Sequence, residues 1–177
     1  ELGNRIKALL EKLQAEGANV IEVADPQVYA SLVETPFFVS EFDFRKDMTA
    51  YLAANPSLGF SSLKALLDDP RIVTNVASLL RPLLGPAHES ELTYLRQRAR
   101  RTDTQGALLT LMHEYRLDAL VYPTATREAV EIGGQHTHFN CQLAANSGLP
   151  AISVPAGFGP NQMPIAVEFL AESWSEQ

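Results

Sequence analysis

Apolar residues recur at helical spacing at the start of the chain. Ile6, Leu9, Leu10 and Leu13 share one face of a helix expected over 5–16, and Gly17 supplies its C-terminal stop. The run Val20-Ile21-Glu22-Val23 then reads as a short strand, closed by Asp25-Pro26. Helical periodicity returns over 31–54 through Phe38, Phe42, Met48 and Leu52, and Asn55-Pro56-Ser57 breaks it. Short helices are expected over 63–67 and 72–80, followed by a loop marked by Pro82, Gly85 and Pro86. The longest predicted helix covers 90–115. Leu92, Leu95 and Ala99 open its apolar stripe, and Leu108, Leu111, Met112 and Tyr115 continue it.

The pattern then shifts to short apolar runs. Residues 119–123 read as a buried strand, followed by a polar loop containing Gly133-Gly134. A short helix is expected over 138–146 with Gly148 as its cap, then another buried strand over 151–155, a turn over 157–162 and a last strand over 164–170. Ile165, Val167 and Phe169 alternate in that strand with Ala166 and Glu168. Alternating helices and short apolar strands predict an α/β layer with a mostly parallel sheet. The turn over 157–162 is short enough to make the last strand antiparallel to its predecessor. The whole reads as one domain, with the helical stretch at about 31–84 forming a cap or insertion on it.

Bulk properties narrow the function classes. The chain has 177 residues, 46% hydrophobic and 20% charged, with a formal net charge of -7. That charge argues against nucleic acid or an anionic membrane as the main partner. One basic run, Arg96, Arg98, Arg100 and Arg101, goes against the trend and reads as a solvated helix face in preference to a phosphate site. The single cysteine, Cys141, excludes an intrachain disulfide. No apolar run approaches the roughly 20 residues of a membrane span. No signal peptide is visible, and a cytoplasmic location is expected.

Local motifs do not locate an active site. Ser61-Ser62-Leu63-Lys64 sets a serine three residues before a lysine, the spacing of a serine–lysine nucleophile pair; the companion motifs of that class are absent, so the preferred reading is a serine N-cap before an apolar helical turn. His136 and His138 would face the same way on a strand, but a metal needs further ligands, and the nearby Glu128 and Glu131 have no ligand spacing. His113-Glu114 lacks the second histidine of a zinc protease helix. Cys141 reads either as a core residue or as half of a dyad with His138. Gly157-Phe158-Gly159 is a turn and not a phosphate cradle. No cofactor or metal is expected.

The last third of the chain carries a resemblance. Asp118-Ala119-Leu120-Val121-Tyr122-Pro123-Thr124 resembles a strand of the amidase-signature family. The run from Leu143 to Phe158, centred on Leu149-Pro150-Ala151-Ile152-Ser153-Val154-Pro155-Ala156-Gly157, is similar to the family's helix-to-strand segment. Met163-Pro164-Ile165-Ala166-Val167-Glu168-Phe169-Leu170 is similar to the strand after it, in the family's order. Upstream, Glu41-Phe42-Asp43 to Tyr51-Leu52 and residues 5–26 are similar to further family passages, so the likeness covers nearly the whole chain.

The resemblance implies a three-layer α/β/α sandwich on a central mixed sheet. It implies hydrolysis, or acyl transfer, of carboxylic amides by a Ser–cis-Ser–Lys triad with a backbone oxyanion hole. The lysine and the Gly/Ser-rich signature are expected before residue 1, so no catalytic residue is assigned within this chain. It is read as a C-terminal portion cut at both ends and inactive alone, its partners being the N-terminal remainder of the same protein and a small-molecule amide. Thr124, Gln135 and His138 are expected to approach the acyl pocket and shape substrate choice, with Arg127 or His136 equally placed to do so. The Glu-Phe and Tyr-Leu passage leans towards a general amidase over a component of a tRNA amidotransferase. Two other readings stand beside this one: a non-catalytic binding protein of the same fold, and an independent hydrolase using Ser61 or Ser62 with Lys64.

Overall fold

The computed structural model describes residues 2–23, 40–85, 91–134 and 139–175. Chain contacts divide it into two units, Glu1–Pro36 with Arg101–Gln177, and Phe37–Arg100.

The first unit is built on a three-stranded sheet. Helix α1 (Leu2–Ala15) ends as its sequence predicts. Gly17 takes φ 101°, which a side chain disfavours, and the Gly17 and Ala18 N–H groups donate to the carbonyls of Gln14 and Leu13. That pair of bonds satisfies carbonyls the helix end would leave open. The strand expected over 20–23 does not form. Its β-branched residues suit a sheet surface, but a strand also needs a ladder partner, and among the described residues β1 (Ala119–Pro123) pairs only with β3 (Pro164–Ala171).

The sheet order is β1-β3-β2, with β2 running Ala151–Phe158. As an outer strand of the described sheet β2 is largely exposed, which corrects the buried strand expected over 151–155. Both ladders are antiparallel, which corrects the mostly parallel expectation. The tight turn after β2 returns the chain at once, and β3 takes the slot between β1 and β2. Strands β1 and β2 therefore run in the same direction without pairing to each other. Pairing sets Tyr122 and Ser153 on either side of Glu168. Side-chain alternation then puts Leu120, Tyr122 and Thr124 on the same face as Ala166, Glu168 and Leu170.

That face meets the helices. The long helix α5 (Glu91–Tyr115) contributes Leu108 and Met112, four residues apart, and α6 (Gln142–Ser147) contributes Leu143. With Leu149 and Leu170 they form a buried cluster, against which Leu120 and Tyr122 pack. Helix α6 begins four residues later than expected, because Asn140 is already committed to β1 and Phe139 bridges to Ala125. Cys141, just before the helix, is exposed, so it is not a core residue. Gly148 closes α6 at φ 73°, and the Arg101 guanidinium lies 3.1 Å from where a Cβ would stand.

The second unit is helical. Its elements are α2 (Ser40–Ala54), α3 (Leu63–Leu67), α4 (Thr74–Leu80), 3₁₀ turns at Pro56–Leu58 and Arg81–Leu84, and the first part of α5. Leu52, Leu63, Leu67 and Ala77 form its buried positions. The loop expected around Pro82 is thus a 3₁₀ turn, and Gly85 beyond it accepts a 2.7 Å bond from Arg45 Nη1. Leu92 and Leu95 were expected in the apolar stripe of α5 but are exposed. Phe42 packs on Tyr94, whose hydroxyl donates to Asp43 at 2.6 Å. The basic run is largely exposed, as a solvated helix face requires, and Arg98 lies over the Tyr94 ring. Phe38 lies outside the described residues. Among those described, no helix is long and apolar enough to cross a membrane.

Candidate functional site

The C-terminal end of β1 gathers the polar side chains of the sheet unit. Residue 123 is a proline, which cannot donate to a ladder, so the strand gives out there. Thr124 continues one step further. Its N–H donates to the Ala166 carbonyl at 3.0 Å, and its own carbonyl accepts the Asn140 N–H at 2.9 Å. Asn140 Nδ2 donates to the Pro123 carbonyl at 2.7 Å. Asn140 therefore holds the strand end with both backbone and side chain.

The Thr124 and Ser153 hydroxyls meet at 2.9 Å although their strands are not neighbours. Ala166 shares their face on the intervening β3, and its single methyl leaves room for the two side chains to lean together. One step along the same face, Glu168 is only 6% exposed, and the Tyr122 hydroxyl donates to its Oε1 at 3.3 Å. Burial pushes the Tyr122 phenol well above its ordinary range, and the Glu168 charge adds to the effect. The phenol therefore stays protonated and remains a donor at neutral pH.

Beside this row, an open cavity of about 1210 Å³ follows the side of β1 away from β3. Leu10, Val20, Leu111, Val121 and Phe169 contribute apolar wall, and Tyr122 and Asn140 contribute polar wall. Chemically, the row offers two hydroxyls that can bind a carbonyl or an amide. Among the described residues, Ser153 Oγ meets the Thr124 hydroxyl, which is not a general base. Among the described residues no group of His, Cys, Asp and Glu is placed to hold a metal.

The expected site residues divide. Thr124 sits in the row; Gln135 and His138 lie outside the described residues, as does His136. The Ser61–Lys64 segment is elsewhere, in the helical unit. Ser62 caps α3, its Oγ accepting the Ala65 N–H at 3.1 Å, and Lys64 turns to Asp68 at 2.5 Å. The N-cap reading therefore holds there. Ser153, Asn140, Tyr122 and Glu168 were not anticipated. One signal was present in the sequence: a carboxylate in an apolar strand, which has to find a partner when buried.

Comparison with known proteins places these elements. A family model described as Amidase matches residues 1–177. Mandelamide hydrolase of Pseudomonas putida is 25% identical over 90% of this chain and 34% of its own length. Indoleacetamide hydrolase of Agrobacterium vitis is 28% identical over 53% of this chain and 23% of its own. The crystal structure of PAM12A superposes with a TM-score of 0.78 at 24% identity, over 98% of this chain and 37% of that one. Native peptide amidase from Stenotrophomonas maltophilia gives a TM-score of 0.69 at 22% identity, with the same coverage. The fold is thus the α/β fold of these solved structures, and the chain spans about a third or less of the length of the curated relatives it matches.

Proposed function

The chain belongs to the amidase family, and on that footing we propose that it forms the C-terminal portion of an enzyme that hydrolyses carboxylic amides. The observation carrying this reading is a family match along all 177 residues of a chain that spans about a third of its relatives. In this reading the attacking serine and its lysine belong to the N-terminal remainder of the protein. Among the described residues the hydroxyl row fits that division of labour, since Ser153 meets the Thr124 hydroxyl there, which is no base.

The present residues then bind and orient. Thr124 and Ser153 meet the polar end of the substrate, Tyr122 and Glu168 hold the row from beneath, and Gln135 and His138 shape the acyl pocket. Residues 1–177 make up part of one amidase domain, with the helical stretch at about 31–84 as a cap on it. A small aryl amide is the first substrate class to test, because mandelamide hydrolase and indoleacetamide hydrolase are among the relatives.

The test is amide hydrolysis by the purified 177-residue chain beside the full-length protein, on a panel that includes mandelamide and indoleacetamide. Turnover by the full-length protein alone is expected. Turnover by the chain alone would overturn the division of labour, and absence of turnover in both would favour a binding protein of the same fold.

A further inference from the structure

Four residues beyond Thr124, the loop from β1 makes a second attachment. Glu128 lies against the turn that joins β2 to β3. Its Oε2 accepts the Asn161 Nδ2 at 2.6 Å, and the Asn161 backbone N–H reaches Oε1 and Oε2 at 3.1 and 3.3 Å. A carboxylate taking three N–H contacts from one residue is a charge-assisted clamp, stronger than bonds between neutral groups. Gly159 makes room for it: the residue is buried, and a Cβ there would overlap the Glu128 carboxylate. The turn itself is closed beneath the clamp, with the Gly159 N–H donating to the Met163 carbonyl at 2.9 Å.

Residues 125–127 are therefore strung between two fixed points. At one end Thr124 is bonded to Ala166, Asn140 and Ser153, and Ala125 bridges to Phe139. At the other, Glu128 is held by Asn161. A span this short has few conformations left once both ends are pinned.

We infer that Glu128 is a positioning residue: its clamp on Asn161, seated over Gly159, fixes the loop beside the Thr124–Ser153 pair and so governs which amides that end of the sheet accepts. The loop-fixing half stands on geometry alone. The substrate half rests on the amidase reading, and the experiment separates the two.

The full-length protein is prepared as wild type, Asn161→Ala, Gly159→Ala and Glu128→Gln. Trypsin cleavage after Arg127 is followed by mass spectrometry, and kcat and KM are measured on small and bulky amides. Neither Asn161→Ala nor Gly159→Ala changes the Arg127–Glu128 bond itself, so cleavage reads loop opening. Both variants are expected to cleave about tenfold faster, the factor that corresponds to about 1.4 kcal/mol of lost loop stability. KM for bulky amides should shift severalfold while kcat stays within about twofold, the mark of altered binding without altered chemistry. Glu128→Gln keeps one acceptor for Asn161 but loses the charge and the second acceptor, so its KM should fall between those of the wild type and Asn161→Ala. Cleavage of Asn161→Ala at the wild-type rate would overturn the inference. So would faster cleavage with every KM unmoved, since the clamp would then be structural only. A wild-type protein that turns over no amide sinks the amidase reading, and the cleavage rates then decide the clamp by themselves.

Discussion

At the scale of single residues, the buried pair of Tyr122 and Glu168 makes the sharpest demand. A carboxylate 6% exposed needs every donor it has. Tyr122→Phe is expected to cost about 1–3 kcal/mol by urea unfolding, because it strips a donor from a buried charge. Glu168→Gln keeps an acceptor for the phenol and should cost less. The pair also gives a pH dependence. The Tyr122 phenol is raised above its ordinary range, so the folded state holds that proton more tightly than the unfolded chain. Its contribution to stability is therefore complete below about pH 10, the ordinary phenol value, and declines as pH rises beyond it. Urea midpoints from pH 8 to 11 should fall more steeply in wild type than in Tyr122→Phe. Equal slopes would mean that burial and Glu168 do not act on this group.

At the scale of elements, local rules worked where the chain satisfies itself. Helix α3 starts where Ser62 predicts, since the cap hydroxyl and the bonded N–H lie three residues apart. Ser62→Ala should destabilise the helical unit by about 1 kcal/mol and leave amide hydrolysis by the full-length protein unchanged. Lys64→Ala should also leave turnover unchanged; a large loss in both would revive the serine–lysine reading. Local rules failed where a distant segment decides. The strand expected over 20–23 has β-branched residues suited to a sheet but no ladder partner among the described residues. The start of α6 moved because Asn140 bonds to Pro123 and Thr124, a choice invisible in residues 138–146 alone.

At the scale of the whole molecule, the described core is small and concentrated. In the sheet unit Leu108, Met112, Leu143, Leu149 and Leu170 account for the buried cluster. Leu170 is fully buried on the face that carries Glu168, so Leu170→Ala should cost about 2–5 kcal/mol in a urea titration and weaken the row above it. A loss below about 1 kcal/mol would mean that the site at the end of β1 does not depend on this core. The helical unit has its own buried residues, Leu52, Leu63, Leu67 and Ala77, and should feel little of that change.

What the sequence determined by itself was whatever depends on near neighbours: the helices, the Gly17 and Ser62 caps and three of the four short strands expected; its motifs also carried the family to which the chain belongs. Periodicity and capping act over a few residues, so one sequence states them in full. The tertiary structure decided the rest. Strand order came from β3 inserting between β1 and β2, which no strand's own residues specify. The meeting of Thr124 with Ser153, of Tyr122 with Glu168 and of Glu128 with Asn161 joins residues about thirty to forty-six positions apart. Those pairings depend on which faces the core buries together, and that is a property of the folded chain.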